Sequence, residues 1–188
     1  MKLYKNEYEL RDGQKLIVRT PEIDDEEGLI NLIQAADSET KFLAREPGEF
    51  NFTVEQEREF IKSLIKDDTS LFLIAEVNGT IIGNCSVGLV TKNKRFLHRA
   101  AIGIVVKKEY WNSGIGKHLM KECINWCKEN DIEQLELEVV TENQRAISVY
   151  KSFGFDIYGT KKHAMKYADG SYGDEYFMCL FLNNNKPE

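Results

Sequence analysis

The sequence predicts an α/β protein of the α+β type, whose mixed and mainly antiparallel central sheet carries helices on both faces. The first reason is a pair of strand-like segments, LFLIAEV and TIIGNCSVGLV, joined by Asn78-Gly79, the strongest short hairpin signal. The second is the order strand, helix, strand from HRAAIGIVV to LELEVV, which is typical of a crossover between parallel strands. Hairpins and a crossover together indicate a mixed sheet.

The N-terminal part of the chain predicts a hairpin followed by two helices. Asp12-Gly13 is a turn signal between the segments YEL and KLIVRT, and Pro21 ends the second of them. Residues 24–36 carry apolar side chains at helical spacing. Residues 53–56, Thr-Val-Glu-Gln, form a capping box that opens the second helix. We expect the core face of this helix to consist of Phe60, Ile61, Leu64 and Ile65.

The C-terminal half predicts two more helices and three strands. Residues 114–128 and 144–153 have helical spacing, LELEVV lies between them, and FDIYG and EYFMCLFL follow as strands. We expect one domain over residues 1–188, with a frayed tail at 183–188. The side chains expected to face inward on the first of these helices are Ile115, Leu119, Cys123, Trp126 and Cys127.

Composition excludes several functional classes. Hydrophobic residues make up 42% of the chain and charged residues 30%, as is typical of a soluble globular protein. The absence of a long apolar run and of a signal-peptide core predicts a cytoplasmic protein that does not bind membranes. A net charge of −6 argues against nucleic acid as a partner. Cys123 and Cys127 lack the additional ligands that zinc requires, so we expect buried thiols and no metal.

Two glycines, Gly114 and Gly116, stand where a helix is expected to begin, although glycine weakens a helix. A dinucleotide fingerprint would require a glycine at the position of Leu119. A Walker loop would require a glycine at the position of Trp111 and a hydroxyl residue in place of His118. Both familiar phosphate loops therefore fail on spacing.

The remaining interpretation is a strand, a short turn and a glycine-containing helix start. Such a turn directs several backbone N–H groups and the positive end of a helix at one anion, and Lys117 adds a positive charge. The glycines would let a diphosphate approach the backbone closely. The alternative is a softened helix start that binds nothing.

Two segments resemble the GNAT superfamily of N-acyltransferases. VVKKEYWNSGIGKHLM is similar to its acetyl-CoA-binding motif, in which an Arg/Gln-x-x-Gly-x-Gly/Ala loop cradles the CoA pyrophosphate. LELEVVTENQRAISVYKSFGF, residues 135–155, is similar to the second signature of the family. The resemblance extends over the strand order from about residue 15 to residue 182. One departure is Trp111, which stands where Arg or Gln is usual.

The resemblance implies a GNAT-like fold and an acetyl-CoA-dependent N-acetyltransferase. It would transfer an acetyl group to a primary amine of a small molecule or of a protein or peptide, by direct attack in a ternary complex. The alternative is a non-catalytic acyl-CoA-binding or sensing module, and the resemblance also allows a homodimer. The cofactor-binding residues it implies are Ile104, Val105 and Val106 for the pantetheine arm, Asn112, Ser113, Gly114, Ile115, Gly116 and Lys117 for the pyrophosphate, and Asn143 for the pantetheine end.

The catalytic residues implied by the resemblance are Glu138 and Tyr150. Deprotonating an alkyl amine at neutral pH costs about 4–5 kcal/mol, so a base or a water chain must accept a proton. Alternation places Glu138 and Glu136 on one face of their strand, and a dry cleft would raise the pKa of Glu138. Tyr150, seven residues after Asn143, would hydrogen-bond the departing sulfur. The alternatives are a solvated glutamate and a core aromatic residue.

The acceptor site implied by the resemblance lies near ADSETKFLAREPGEF and KYADGSYGDEY. Their acidic side chains would attract a cationic amine such as a polyamine, an aminoglycoside, a lysine or a protein N-terminus, or would simply be solvated. The candidate residues are the acids Glu46, Glu49, Asp169, Asp174 and Glu175 and the aromatics Phe42, Phe50, Tyr167 and Tyr172.

Overall fold

The computed structural model describes residues 3–182, so the frayed tail predicted at 183–188 lies outside the described residues. The strands are β1 Lys5–Glu9, β2 Lys15–Arg19, β3 Ser70–Val77, β4 Thr80–Leu89, β5 Arg99–Val106, β6 Gln134–Val140, β7 Asp156–Lys166 and β8 Tyr172–Phe181. The α-helices are α1 Glu26–Glu39, α2 Val54–Lys66, α3 Ile115–Glu129 and α4 Gln144–Ser152.

The strands form one sheet in the order β1-β2-β3-β4-β5-β6-β8-β7. Successive pairs from β1 to β4 are antiparallel, as are β6 with β8 and β7 with β8. β5 and β6 are parallel and pair over Arg99–Ala101, because the connection between them is the helix-containing crossover. The predicted mixed, mainly antiparallel sheet with helices is therefore confirmed.

Contacts along the backbone group the chain into two compact units. The first runs up to Gly88 and resumes from Gly103 to Trp126, and the second comprises Leu89–Ile102 and the chain from Cys127 onward. β5 therefore begins in the second unit and ends in the first. The single domain expected over residues 1–188 stays a prediction.

The core of the first unit shows how α2 is rotated about its axis. Ile61 is fully buried and Leu64 packs beside it, but Phe60 and Ile65 are more than a third exposed. The predicted core face was therefore half wrong, because the buried stripe of α2 runs through Glu57, Ile61 and Leu64 at helical spacing. The buried core cluster consists of Leu29, Leu32, Ile61, Phe72, Ile74 and Ile81, with Leu64 and Val105 packed against it.

The second unit contains the strand LELEVV and the long β7–β8 hairpin. Leu135, Leu137 and Val139 are buried whereas Glu138 is exposed, so the predicted alternation of β6 is confirmed. β7 extends as far as Lys166. The segment KKHAMKY, residues 161–167, is therefore mostly strand, and the loop before β8 is short.

The four cysteines are buried, as predicted, and none of them forms a disulfide bond within the described residues. The sulfur atoms of Cys85 and Cys123 lie 3.4 Å apart within the first unit. Over residues 3–182, no cluster of three His, Cys, Asp or Glu side chains has an arrangement suited to a metal ion. Among the described helices, none combines the length and apolar character that a membrane crossing needs.

Candidate active site

The turn at residues 112–117, here called the GIGK turn, requires one of its two glycines for conformational reasons. Gly114 has φ +93°, in the left-handed region that side chains other than glycine rarely adopt. Asn112 has φ +66°, which asparagine tolerates better than most residues. The chain therefore reverses through two left-handed residues directly before α3 begins.

Gly116 has no such constraint. Its φ lies outside the left-handed region, and a Cβ atom added there would lie 3.5 Å from Ile104 Cδ1, an ordinary van der Waals distance. Neither backbone strain nor protein packing thus explains a glycine at this position. The free space is what a ligand would need in order to lie against the main chain.

Backbone N–H groups at the start of α3 are left without protein partners. Lys117 N and His118 N donate to Gly114 O at 3.0 and 3.2 Å. Within residues 3–182, no hydrogen-bond acceptor serves the N–H groups of Gly114, Ile115 and Gly116. Three adjacent donors at the positive end of a helix form an arrangement that suits an anion. The side chains of Asn112 and Lys117 are exposed beside them.

Trp111 anchors the GIGK turn to the end of β5. Its indole Nε1 donates to Val106 O at 2.7 Å, and Ser113 Oγ donates to Tyr110 O at 2.6 Å. A further contact comes from α1, where Glu39 Oε2 accepts the N–H of Lys108 at 2.6 Å. The residue that departs from the family motif therefore holds the turn in place. Sequence reasoning treated Trp111 only as a missing Arg or Gln.

The last residues of β5 lie between this turn and the core of the first unit. Ile104, Val105 and Val106 are half-buried, and Val105 packs against the cluster formed by α1, α2 and the neighbouring strands. Lys107 N, just after the strand, donates to Ile82 O at 2.9 Å. The indole of Trp111 already occupies Val106 O, so this carbonyl is the least available of the main-chain groups assigned to the pantetheine arm.

In the second unit, Asn143 has a structural role in addition to its predicted one. It is the N-cap of α4: its Oδ1 accepts the N–H of Ala146 at 3.2 Å, and its own N–H donates to Val140 O. Within the described part of the chain, its side-chain NH2 group has no partner. The cap fixes the side chain so that this amide donor remains available.

Tyr150 lies in the last turn of α4 and is buried, with 9% of its surface exposed. Its ring centroid lies 5.9 Å from that of Phe155, with the rings tilted by 55°. The ring is thus part of the core of the second unit, as one of the two alternatives expected. This packing fixes the direction of the phenol and is compatible with a role for its hydroxyl.

Glu138 is less enclosed than expected. Its side chain is 48% exposed and lies 3.4 Å from Lys161 Nζ, so the dry environment expected for this carboxylate is not found around it. Glu136, on the same strand, forms a salt bridge with Arg99. That ion pair commits Glu136 to a structural role, which agrees with the preference for Glu138.

A second carboxyl group, Glu175 of β8, completes a cluster with Glu138 and Lys161. Glu175 is 17% exposed, and its carboxylate lies 4.0 Å from Lys161 Nζ. Burial raises the pKa of Glu175, and a hydrogen bond and the negative charge of Glu138 raise it further. The sequence listed Glu175 only as one of several acidic loop residues. Its partnership with Glu138 depends on the β6–β8 register, which no local signal reveals.

Three of the other acids expected to attract a cationic acceptor are bonded to nearby groups of the protein. Glu49 Oε2 accepts the N–H of Glu46, and Asp169 Oδ1 accepts the N–H and hydroxyl of Ser171. Asp174 of β8 bonds Lys162 Nζ at 2.7 Å and the N–H of His163, and both bonds lower the pKa of Asp174. Glu49 and Asp169 thus stabilise their loops, and Asp174 joins β8 to β7.

Comparison with known proteins establishes the family. The sequence model of the Acetyltransferase (GNAT) family matches residues 34–155. The L-amino acid N-acetyltransferase AaaT of Escherichia coli K12 is 36% identical over 112 residues, which cover 57% of this chain and 65% of AaaT. The chain thus spans slightly less than two thirds of the length of that relative.

Solved structures show the same fold. A GNAT-family acetyltransferase from Streptococcus pneumoniae superposes with a TM-score of 0.83 and 30% identity, covering 88% of this chain and 99% of that one. The yncA protein of Salmonella typhimurium, solved with its cofactor acetyl-CoA, has a TM-score of 0.79 at 16% identity, covering 92% and 97% of the two chains. The protein belongs to the GNAT acetyltransferase family.

Replacing Glu175 with Gln should stabilise the fold at neutral pH and have little effect in acid. Folding raises the pKa of Glu175, so binding of its proton stabilises the folded state. This contribution to the free energy of unfolding is complete at pH values below the pKa of an unfolded glutamate, about 4.3. That contribution is lost as the pH rises through the folded value, whereas Gln mimics the protonated form at every pH. The melting temperature should therefore increase at about pH 7.5 but not at about pH 3.5.

The control for this variant is Glu133→Gln, an exposed glutamate of the same unit, which should change neither melting temperature. A Glu175→Gln variant that is equally stabilised, or equally destabilised, at both pH values would show that Glu175 does not hold its proton more tightly in the folded protein.

Proposed function

We propose that this protein is an N-acetyltransferase that moves the acetyl group of acetyl-CoA to a primary amine. The observation that carries the proposal is the GIGK turn, where three N–H groups lack acceptors among the described residues and a glycine stands without a conformational need. Family membership supplies the chemistry that such a turn serves. AaaT, a relative named for free amino acids, supports an amine acceptor.

The first unit would hold the co-substrate. The N–H groups of Gly114, Ile115 and Gly116 fit a diphosphate, which brings two anionic groups to the start of α3. Exposed Lys117 and Asn112 add a charge and a polar group at its edge, and Ser113 keeps the turn closed through Tyr110 O. Strand residues 104–106 offer main-chain groups along which an amide-containing arm can lie as an added strand.

The second unit would supply the proton-transfer groups. The attacking amine must lose a proton, and Glu138 with Glu175 forms a carboxyl pair that can hold it near Lys161. Because burial and Glu138 raise the pKa of Glu175, this pair retains a proton more readily than two separate surface glutamates would. We assign acceptance of the proton to Glu138, the more exposed member, with Glu175 as its partner.

Tyr150 would stabilise the leaving thiolate. A phenol hydroxyl donates a hydrogen bond to developing charge on sulfur without having to transfer its proton completely. The packing of its ring against Phe155 fixes the direction of the hydroxyl. Asn143, held by the cap of α4, would offer its side-chain NH2 group to the pantetheine end of the cofactor. A non-catalytic acyl-CoA sensor would need neither Tyr150 nor the carboxyl pair.

Gly116→Val should weaken CoA binding at least tenfold without preventing folding. Valine is used because the family motif allows alanine as well as glycine at this position. A Cβ atom here makes only an ordinary van der Waals contact with the protein, so a loss of affinity reports on a ligand that lies against the backbone. Isothermal titration calorimetry with CoA measures the effect. Gly103→Val, where the added Cβ would lie 3.8 Å from Ser86 Oγ, is the matched control and should bind like the wild type. Unchanged affinity in Gly116→Val would contradict the proposed cofactor site.

Tyr150→Phe should lower kcat for thiol release from acetyl-CoA roughly 100-fold and leave the KM for acetyl-CoA within a factor of about two. The reason is that Phe preserves the packing against Phe155 and removes only the hydroxyl. The assay follows free thiol with a panel of amino acids, polyamines, aminoglycosides and N-terminal peptides. If CoA binds but none of these amines releases thiol, the sensor interpretation is correct and the proposed enzyme activity is wrong.

A further inference from the structure

A buried carboxylate in the last turn of α1 organises the loop between α1 and α2. Asp37 has a side-chain exposure of 1%, and Arg45 binds it with two bonds. Arg45 Nε lies 2.8 Å from Oδ2 and Nη2 lies 3.3 Å from Oδ1. An unpaired charge at this depth would be costly, so one edge of the guanidinium is accounted for as the partner of Asp37.

The other edge of the Arg45 guanidinium has no hydrogen-bond acceptor among the described residues. Within residues 3–182, no oxygen accepts a hydrogen bond from Nη1, although the side chain is 38% exposed and therefore reachable. The guanidinium carbon lies 5.3 Å from the centroid of the Phe50 ring, which in turn stacks on Phe52. Because Asp37 holds one edge of this guanidinium and the Phe50 ring lies against one of its faces, the remaining N–H groups have a fixed orientation.

A second arginine of the same unit shows what a purely structural pair looks like. Arg58 binds the buried carboxylate of Glu26 through Nε at 2.6 Å and is 36% exposed, so its burial resembles that of Arg45. Its Nη1, however, donates to Glu55 at 3.0 Å. The outer edge of Arg58 is thus occupied from within the chain, whereas that of Arg45 is not.

The end of α1 that carries Asp37 contacts the segment leading into the GIGK turn. Glu39, two residues after Asp37, accepts the N–H of Lys108. Val105 of β5 packs on the core cluster to which α1 contributes Leu29 and Leu32. The loop that carries Arg45 therefore follows the end of α1 that contacts the segment before the turn proposed to hold acetyl-CoA.

We propose that the outer edge of Arg45 binds the carboxylate of the acceptor, so that the substrate is a free amino acid. This inference rests on the proposed acetyltransferase function and adds the class of acceptor to it. Two parallel N–H donors match the two oxygens of a carboxylate, and an α-carboxylate lies beside the amine to be acetylated. A polyamine, or an N-terminus within a protein, offers no carboxylate there. The carboxylate of Glu49, in the same loop, is engaged with the N–H of Glu46.

The test compares each of a panel of L-amino acids with its own carboxamide, in a thiol-release assay with the full chain and acetyl-CoA. For the wild type, kcat/KM should favour the free acid by about 10- to 100-fold, the range of a charge-assisted contact. Arg45→Lys keeps a cation for Asp37 but loses the fork, and should reduce this preference to about twofold by raising the KM of the acids. Arg58→Lys, the matched control, should keep the preference.

Within one variant, the ratio of kcat/KM for the free acid to kcat/KM for its carboxamide does not depend on the fraction of protein that is folded. Efficient turnover of carboxamides or of a C-terminally amidated peptide, with no preference for free acids, would overturn the carboxylate site and leave the acetyltransferase function intact. A wild-type preference that persists in Arg45→Lys would also overturn it. An absence of thiol release with every amine would overturn both proposals.

Discussion

The constraint on which the site depends is that main-chain N–H donors at the start of α3 have no acceptor in the part of the chain that the structure describes. Helix starts always leave such groups, and most proteins satisfy them with a capping side chain, as Thr53 does for α2. At α3 the chain instead enters through left-handed Asn112 and Gly114. The indole of Trp111 fixes this entry to the end of β5. An anion can therefore take the place of a cap.

The other elements of the first unit hold that turn in place. α1 contacts the segment before the turn through Glu39, which accepts the N–H of Lys108, and packs through its core face against β5. The segments proposed to bind CoA and the loop carrying Arg45 are therefore both connected to α1. Two buried carboxylates of this unit are paired with arginines, Asp37 with Arg45 and Glu26 with Arg58, because an unpaired carboxylate would destabilise the fold. The N–H groups of Arg45 that do not bind Asp37 are available to bind the proposed carboxylate of the acceptor.

Structural features that depend on neighbouring residues were predictable from the sequence. Contacts between residues far apart in the chain were not. Asn78 and Gly79 both have positive φ, as their hairpin requires, and the capping box of residues 53–56 forms as expected. These features need only neighbouring residues. By contrast, the Glu138–Glu175 pair depends on strand register, and Trp111–Val106 and Arg45–Asp37 depend on how the chain folds back. Periodicity also left the rotation of α2 undetermined, so Phe60 and Ile65 were misplaced.

The most direct test of the account observes the backbone donors themselves. Two-dimensional ¹H–¹⁵N NMR spectra recorded during a CoA titration report on each amide separately. The account predicts that the N–H resonances of Gly114, Ile115 and Gly116 move downfield as they gain a phosphate acceptor, with the largest changes in the spectrum. CoA binding that leaves these three resonances unmoved would contradict the claim that main-chain amides hold the diphosphate.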